Sequence, residues 1–329
     1  MIALGIESTA HTFGIGIVDH KGNVLANEKD TLKPKDKGLV PRELAEHHFA
    51  FSEIILRKAL EKAELKLKDI DLVGFSQGPG IGNALRIGAT VARAISVRYE
   101  KPLVPVNHCI AHIEIGKKKT KAKDPVVMYA SGANTQVITL SNGKYRIFGE
   151  TLDIGIGNMM DSFGRELGLG FPAGPILDQW YFLGKKYIEL PYTVKGSDLV
   201  FAGLQTAAER MIEKESKADL AYSLLHTGFA MLTEVTERVL AHTGKKEVLL
   251  VGGVAASQAL NQMMEIMCKE RDAKKFSPEP QFAVDNGAMI AWTAHLVYKS
   301  CGEVSIQESE IKPKQRTDDI DPKWIGKSL

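Results

Sequence analysis

The chain is poor in cysteine and has almost no excess of either charge. Its three cysteines, Cys109, Cys268 and Cys301, lie far apart and form no Cys-x-x-Cys pair, which argues against a disulfide framework or a thiolate zinc site. A formal net charge of +2 does not by itself indicate a nucleic-acid-binding protein. No apolar run is long enough to span a membrane, and the first residues lack a basic stretch and a cleavage site. We therefore expect a cytoplasmic protein without membrane association.

A pattern of strand, small polar loop, strand and turn occurs twice in the chain. At 329 residues, with 44% hydrophobic and 25% charged composition, the chain is long enough for two domains. The repeated pattern favours an α/β protein made of two related lobes, although strand and turn patterns also recur by chance. The first copy has strands at 3–7 and 14–18, a loop at 8–12 and a turn at 21–23; the second has strands at 126–130, 136–140 and 145–148, a loop at 131–135 and a turn at 142–143.

Two histidines four residues apart follow a short predicted strand. The strand covers 102–106, and Asn107 is a suitable N-cap for a helix that begins with His108. On a helix, His108 and His112 lie on one face, about one turn apart, which is a suitable spacing for two metal ligands. The alternative is an ordinary packed or solvated helix face.

Glycine-rich turns and one aspartate provide further candidate positions. The turn at 77–83 and the pair Gly252-Gly253 each stand between a predicted strand and a predicted helix, where backbone amides bind anions or simply make a tight turn. Ser257 is a suitable cap for the helix after the second turn. Asp285 stands at another helix start, where it is either an N-cap or a carboxylate that completes a set with the two histidines.

The lysine-rich run at 117–123 lies where a connector between the two lobes is expected. Such a run is usually a solvated linker. Its functional alternative is contact with the phosphates of a nucleic acid, which would make binding strongly dependent on salt.

Taken together, the chain resembles the tRNA adenosine threonylcarbamoyltransferases, most closely the archaeal catalytic subunit of the KEOPS complex. The resemblance implies a duplicated two-lobed actin and Hsp70-like (ASKHA) α/β fold. We place the N-terminal lobe at 1–124, the C-terminal lobe with its nucleotide-binding loops and a helical insertion at 125–300, and a tail at 301–329. The segments that carry the resemblance are 5–12, 40–48, 76–82, 108–112, 129–136, 149–161 and 285–287.

The resemblance also implies which residues form the site. Metal ligands fall on His108, His112 and Asp285, with Tyr129 as a variable phenolic ligand, and iron or zinc suits this set. Contacts to an adenine nucleotide, which is threonylcarbamoyl-AMP or an ATP analogue, fall on Tyr129, Ala130, Ser131, Gly132, Ala133, Asp161, Gly174, Asp178 and Ser257.

Four positions depart from the family's pattern. Ala173 stands where the family mostly has glycine, Asp178 where archaeal members mostly have glutamate, and Ser257 where asparagine is usual. Ala202 replaces a common serine. We expect these changes to alter the adenosine and ribose contacts, and the shorter Asp178 to reach a ribose through water.

The implied activity is metal-assisted transfer of threonylcarbamoyl from threonylcarbamoyl-AMP to the exocyclic amine of the adenosine next to the anticodon, position 37, in ANN-decoding tRNAs. The implied partners are tRNA and the other KEOPS subunits: a small atypical kinase, a dimerising subunit and a tRNA-recruiting subunit. Three alternatives stay open, namely a small-molecule kinase of the same fold, a nucleotide-dependent scaffold without catalysis, and a metallopeptidase. The last is disfavoured because Cys109, not glutamate, follows His108.

Overall fold

The computed structural model describes residues 1–34 and 38–326, which divide into two compact units. The first unit comprises Met1–Lys119, Asn142–Tyr145 and the described residues from Asp285 onward, and the second comprises Thr120–Ser141 and Arg146–Val284. The helix after Asp285 thus groups with the first unit, whereas we predicted it within the C-terminal lobe. The reason is its packing against the first sheet, described below.

The first unit is built on a five-stranded sheet in the order β3-β2-β1-β4-β5. Strands β1, β2 and β3 form an antiparallel meander, and β4 and β5 extend it as parallel neighbours. The elements are β1 Ile2–Glu7, β2 Thr12–Asp19, β3 Val24–Thr31, α1 Pro41–Lys62, β4 Leu72–Gly78, α2 Gly82–Tyr99, β5 Leu103–Asn107, α3 His108–Thr120 and, near the C-terminal end, α10 Gly287–Cys301.

Helix α10 lies unusually close to this sheet because glycines line the facing strands. A Cβ atom added at Gly16 would come within 2.0 Å of the Ala288 backbone nitrogen, and one at Gly5 within 2.1 Å of the Ala291 nitrogen. Any larger residue would have to displace the helix backbone. This close packing explains why α10 belongs to the first unit.

The second unit contains a sheet in the order β12-β11-β6-β7-β8 and a two-stranded ribbon of β9 and β10. Helix α7 has a long buried face in its apolar core, where Phe163, Phe201 and Phe229 are fully buried. The elements are β6 Val126–Ala130, β7 Thr135–Ser141, β8 Lys144–Glu150, α4 Ile156–Glu166, α5 Gly174–Tyr181, β9 Val194–Lys195, β10 Asp198–Leu199, α6 Ala202–Glu209, α7 Lys217–Thr243, β11 Glu247–Val251, α8 Gln258–Glu270, β12 Lys274–Phe276 and α9 Pro280–Ala283.

The two large sheets share one strand order. In each, the first strand pairs with an antiparallel neighbour on one side and with a parallel strand on the other. The turns also agree with prediction: Gly22 adopts φ +80°, and Asn142 and Gly143 adopt φ +51° and +74°, as a two-residue hairpin turn requires. The predicted duplication of an α/β pattern is confirmed.

The structure also shows the environment of the cysteines and the character of the helices in the part of the chain that it describes. Cys109 and Cys268 are buried, Cys301 is exposed, and all three are free thiols. None of the helices in the described ranges combines the length and the apolar character that crossing a bilayer requires.

We expect Gly16→Ala to destabilise the protein, because the new methyl group would meet backbone atoms of α10, which cannot rotate away. Overpacking of this kind costs about 1–3 kcal/mol. Urea unfolding followed by circular dichroism measures the change as a lower midpoint. The matched control is Gly203→Ala on α6, where an added Cβ has no neighbour within 4 Å. Equal midpoints for the two variants would contradict the prediction.

Candidate functional site

The two histidines occupy the first two turns of α3, directly after β5. The Asn107 side-chain oxygen accepts a hydrogen bond from the Ile110 amide at 3.1 Å and so caps the helix start, as predicted. His108 and His112 are both buried, and their ring centroids lie 4.7 Å apart with the planes at 83°. Both rings therefore lie on one face of α3.

Asp285 faces both imidazoles. Its Oδ1 lies 3.2 Å from His112 Nε2 and 3.5 Å from His108 Nε2. The N-cap of α10 is Asn286, whose side chain accepts from the Met289 amide at 3.0 Å. Because the neighbouring asparagine caps the helix, the Asp285 carboxylate does not serve as its N-cap, and it faces the two histidines instead.

Glu7 holds the ring of His108 from the opposite side, and sequence reasoning did not identify it. This fully buried carboxylate lies at the end of β1. Its Oε2 is 2.9 Å from His108 Nδ1, and its Oε1 accepts from the Thr9 amide at 2.8 Å and the Thr9 hydroxyl at 2.5 Å. With Glu7 as the acceptor, Nδ1 carries the hydrogen of this contact, and Nε2 is the ring nitrogen that faces Asp285.

The charges of this cluster perturb one another. Burial lowers the pKa of His108, but the carboxylates of Glu7 and Asp285 outweigh it and raise that pKa well above its ordinary value. For His112, burial dominates and lowers the pKa. Burial opposes ionisation of Asp285, yet the two histidines hold its pKa well below the usual range. Asp285 is therefore ionised and His112 neutral at pH 7.

Lys29 on β3 adds a cation beside the cluster. Its ammonium donates to the Asp285 backbone carbonyl at 3.0 Å. Burial lowers its pKa, while the charges of Asp285 and Glu7 act in the opposite direction. No motif distinguishes Lys29 in the sequence, so only the fold identifies it.

The donor atoms of His108, His112 and Asp285 suit a divalent transition metal. They all lie within 4.8 Å of one another. Two imidazole nitrogens and one carboxylate oxygen are ligands that iron and zinc accept, and they leave positions open for a substrate. The Glu7 hydrogen bond to the far nitrogen of His108 is the arrangement that orients metal-binding histidines in general. The residues present therefore fit the metal.

Tyr129, the fourth candidate ligand, belongs to the second unit. It occupies the end of β6, where its side chain is completely buried. Its predicted role as a ligand stays a prediction.

Most of the predicted nucleotide contacts lie at one edge of the second sheet. Strands β6 and β11 are parallel neighbours, so the loop at 130–133 and the turn at 252–257 leave the sheet at the same edge. Gly252 adopts φ +95°, and a Cβ atom there would come within 2.3 Å of the Ala130 carbonyl. The amides of Gly157 and Asn158, at the start of α4, donate to the carbonyls of Ser131 and Gly132. Glycine thus allows the two loops and α4 to pack together.

Asp161 and Asp178 both accept hydrogen bonds within the protein. Asp161 Oδ1 accepts from the Ala173 amide at 2.8 Å. Asp178 accepts from the Ser257 hydroxyl at 2.6 Å and from the Gln258 amide at 2.8 Å. Asp178 therefore binds the N-terminus of α8 and, with it, the predicted contact residue Ser257. Their predicted contacts with ribose stay predictions.

The structure shows the contacts of Ala173 and Ser257, two of the residues that differ from the family pattern. The buried methyl group of Ala173 packs against Gly164, where an added Cβ would lie 2.1 Å from it. The Ser257 hydroxyl accepts from the Leu260 amide at 3.2 Å and caps α8, as predicted. Gly174 begins α5 immediately after Ala173.

The lysine-rich run is not a simple linker. Its first residues form the last turn of α3. Lys117 lies 3.6 Å from Glu114, the Lys118 ammonium lies 4.7 Å from the centre of the Trp292 ring, and Lys119 donates to the Gly22 carbonyl at 3.4 Å. These three cations have partners within the first unit, which weakens the case for a phosphate-binding patch at this end of the run.

Comparison with known proteins gives a full-length match. The family model for tRNA N6-adenosine threonylcarbamoyltransferase matches residues 21–292. The Thermococcus kodakarensis protein of that name is 55% identical over 98% of this chain and 100% of its own length, and the Caldivirga maquilingensis protein of that name is 51% identical over the whole of both chains. A probable bifunctional tRNA threonylcarbamoyladenosine biosynthesis protein of Methanocaldococcus jannaschii is 49% identical over 99% of this chain and 61% of its own.

Solved structures with the same fold are far more distant in sequence. HypF of Thermococcus kodakarensis aligns with a TM-score of 0.62 at 16% identity, over 89% of this chain and 46% of that one. The activator of the 2-hydroxyisocaproyl-CoA dehydratase from Clostridium difficile, with bound ADPNP, aligns with a TM-score of 0.58 at 12% identity, over 91% and 96%. A ROK family glucokinase from Streptomyces griseus gives 0.53 at 12% identity, over 89% and 99%. At these identities the likeness shows the fold alone, which is the predicted actin and Hsp70-like fold.

We expect Glu7→Gln to lower the pKa of His108 in the metal-free protein, because an amide stabilises an imidazolium less than a carboxylate does. NMR titration of ¹⁵N-labelled histidines measures the change. The matched control is Glu28→Gln, since Glu28 pairs with Lys62 at 2.6 Å. A His108 pKa that is equal in Glu7→Gln and the native chain would contradict the proposed orientation of the ring.

Proposed function

We infer that this chain, which belongs to the tRNA N6-adenosine threonylcarbamoyltransferase family, transfers a threonylcarbamoyl group to the N6 amine of an adenosine in tRNA. The observation that carries this conclusion is the similarity to proteins of that name over their entire length. The chain is accordingly a transferase that takes part in tRNA modification.

The donor that we propose is threonylcarbamoyl-AMP, and the acceptor is adenosine 37 in ANN-decoding tRNAs. The N6 amine attacks the carbamoyl carbon, the bond from that carbon to the phosphate oxygen breaks, AMP leaves with the electron pair, and N6 loses one proton. The amine is itself the nucleophile, so no side chain has to become acylated. Catalysis then depends on holding a weak nucleophile against the carbonyl and on stabilising the charge that develops.

His108, His112 and Asp285 are the residues that we propose to hold one iron or zinc ion. When bound, such an ion supplies a Lewis acid and an anchor for the nucleotide. Glu7 keeps the proton of His108 on Nδ1, which leaves Nε2 as a donor atom. Tyr129 is the proposed additional, phenolic ligand. The burial of both imidazoles limits competition from water for the donor atoms.

The adenine nucleotide is proposed to lie at the edge of the second sheet where β6 and β11 end. The contacts that support this proposal are those that place the loops at 130–133 and 252–257 side by side. Backbone amides of such loops bind phosphate. Asp178 already accepts from the α8 start, so we expect its ribose contact to use the remaining acceptor capacity or a water molecule.

We propose that the protein works in the cytoplasm with tRNA and the other KEOPS subunits, namely a small atypical kinase, a dimerising subunit and a tRNA-recruiting subunit. Support comes from the archaeal relatives that are named for tRNA threonylcarbamoyladenosine biosynthesis. A small-molecule kinase is the weaker alternative, since two imidazoles suit a transition metal better than the magnesium that kinases use.

Replacing both histidines by alanine should abolish transfer. We expect His108→Ala/His112→Ala to lower the rate by at least about 100-fold, because even partners of metal ligands contribute 10–100-fold. The measurement is incorporation of labelled threonylcarbamoyl into an ANN-decoding tRNA with the partner subunits supplied. The matched control replaces two exposed histidines, His20 and His242, with alanine.

Three outcomes separate the hypotheses. Modified tRNA from the native chain and the control only would support the transferase and its metal ligands together. Equal product from all three chains would remove the two histidines from the mechanism. A folded, nucleotide-binding native chain that modifies no tRNA would favour the kinase or the scaffold.

A further inference from the structure

The last described residues of the chain run as a strap, residues 303–326, along the first unit. Within the described residues the strap has no helix longer than a single 3-10 turn. It is nevertheless tied to the end of β4, where the Lys312 amide donates to the Gln77 carbonyl at 2.7 Å and the Gln77 side chain donates to the Glu310 carbonyl at 2.8 Å. These hydrogen bonds fix the course of a segment that lacks regular structure.

The strap is hydrogen-bonded to the start of the histidine helix. The side-chain nitrogen of Asn107, Nδ2, donates to Gln315 Oε1 and to the Arg316 carbonyl, both at 3.2 Å. The oxygen of the same side chain caps α3 through the Ile110 amide. Asn107 thus joins the strap to the residue that immediately precedes His108.

A second contact lies two residues after His112. The carboxylate of Glu114 is almost completely buried on α3, and its Oε1 accepts from Trp324 Nε1 at 3.0 Å and from the Tyr145 hydroxyl at 2.7 Å. The Lys117 ammonium lies 3.6 Å from the other oxygen. Trp324 is itself buried, with 5% of its surface exposed. Among the described residues, Trp324 of the strap therefore supplies one of two hydrogen bonds to this carboxylate, and Tyr145 supplies the other.

The contacts that Asn107 and Glu114 make with the strap lie on either side of His108 and His112 in the sequence. From 107 to 114 the chain makes about two turns, with both histidines between the contacts. A buried carboxylate is stabilised by each donor that it keeps, so the hydrogen bond to Trp324 favours the rotation of α3 that holds Glu114 beside the indole. That rotation also determines where the two Nε2 atoms point.

We propose that Trp324 is a positioning residue for the metal centre, acting through Glu114 to fix the rotation of α3. The proposal rests on the proposed function in one respect, since it requires that His108 and His112 bind a metal. Trp324 touches neither the substrate nor the ion in this proposal. Its indole N–H holds the helix that presents the ligands.

The test uses Trp324→Phe in the full chain, which keeps an aromatic ring and removes the N–H donor. Zinc affinity is measured by competition with a chelating dye, and the d–d spectrum of bound Co²⁺ reports the ligand geometry. We expect zinc affinity about tenfold below that of the native chain, within the range for partners of metal ligands, and an altered cobalt spectrum. Tyr145→Phe removes the other hydrogen bond to Glu114 and should shift both readouts in the same direction.

The matched control is Ile311→Ala, because Ile311 belongs to the same strap but packs against the apolar core of the first unit. It should lower the unfolding midpoint and leave zinc affinity and the cobalt spectrum unchanged. Native-like metal binding by Trp324→Phe would overturn the proposal. So would an equal loss of affinity in Ile311→Ala at a similar loss of stability, since that would show a merely structural role.

The experiment distinguishes failure of the proposed transferase function from failure of the proposed role of Trp324. A native chain that binds zinc and cobalt but transfers no threonylcarbamoyl would contradict the proposed function and leave the role of Trp324 intact. A native chain that binds neither ion would overturn the role of Trp324.

Discussion

The hydrogen bond between the buried carboxylate of Glu7 and His108 Nδ1 is the interaction on which the rest of the site depends. A carboxylate without contact to water is tolerated only when its oxygens are fully hydrogen-bonded, and Glu7 meets this condition through His108 and both donors of Thr9. The same bond places a hydrogen on His108 Nδ1 and turns Nε2 toward Asp285. The cluster is thus organised by a residue that need not touch a metal or a substrate.

Sheet topology explains why these residues meet. Strands β1 and β5 both run parallel to β4, so their carboxyl ends emerge at one edge of the sheet. Glu7 closes β1, and His108 follows β5 directly. The second unit repeats the strand order but has different chemistry at the corresponding edge. There the loops carry glycine and small polar residues, and the aspartates of α4 and α5 accept backbone amides at helix starts. The two units therefore share a strand order, while different side chains lie at the corresponding edges of their sheets.

Local patterns predicted the strands, the turns and the histidine helix well. The alternation of apolar and polar residues, the turn residues and the N-cap Asn107 are each recognisable within a few positions of the sequence. The residues alone left Asp285 either as an N-cap or as a carboxylate beside the two histidines, and the family resemblance favoured the second across a separation of 173 positions from His112. Glu7, Lys29 and Trp324 were missed. Each acts across a large separation in sequence, up to 256 positions for Lys29 and Asp285. Glu7 lies within the segment 5–12 that carries the resemblance, but no spacing pattern linked it, Lys29 or Trp324 to the two histidines. The grouping of α10 was missed as well, because it depends on glycines on three strands that face the helix only after the sheet has formed.

The first unit is discontinuous in sequence, and this affects how the protein is made. Its sheet is synthesised early, but α10 and the strap leave the ribosome only after the whole of the second unit. Until then the glycine-lined face of β1, β2 and β4 lacks its covering helix, and the ligand set lacks Asp285. The second unit, whose residues are nearly contiguous, can fold while translation continues, whereas the first is complete only after α10 and the strap have been synthesised. The cluster of His108, His112 and Asp285 is therefore completed only after the second unit has been synthesised, and a nascent chain that stalls before Asp285 holds two histidines without this carboxylate.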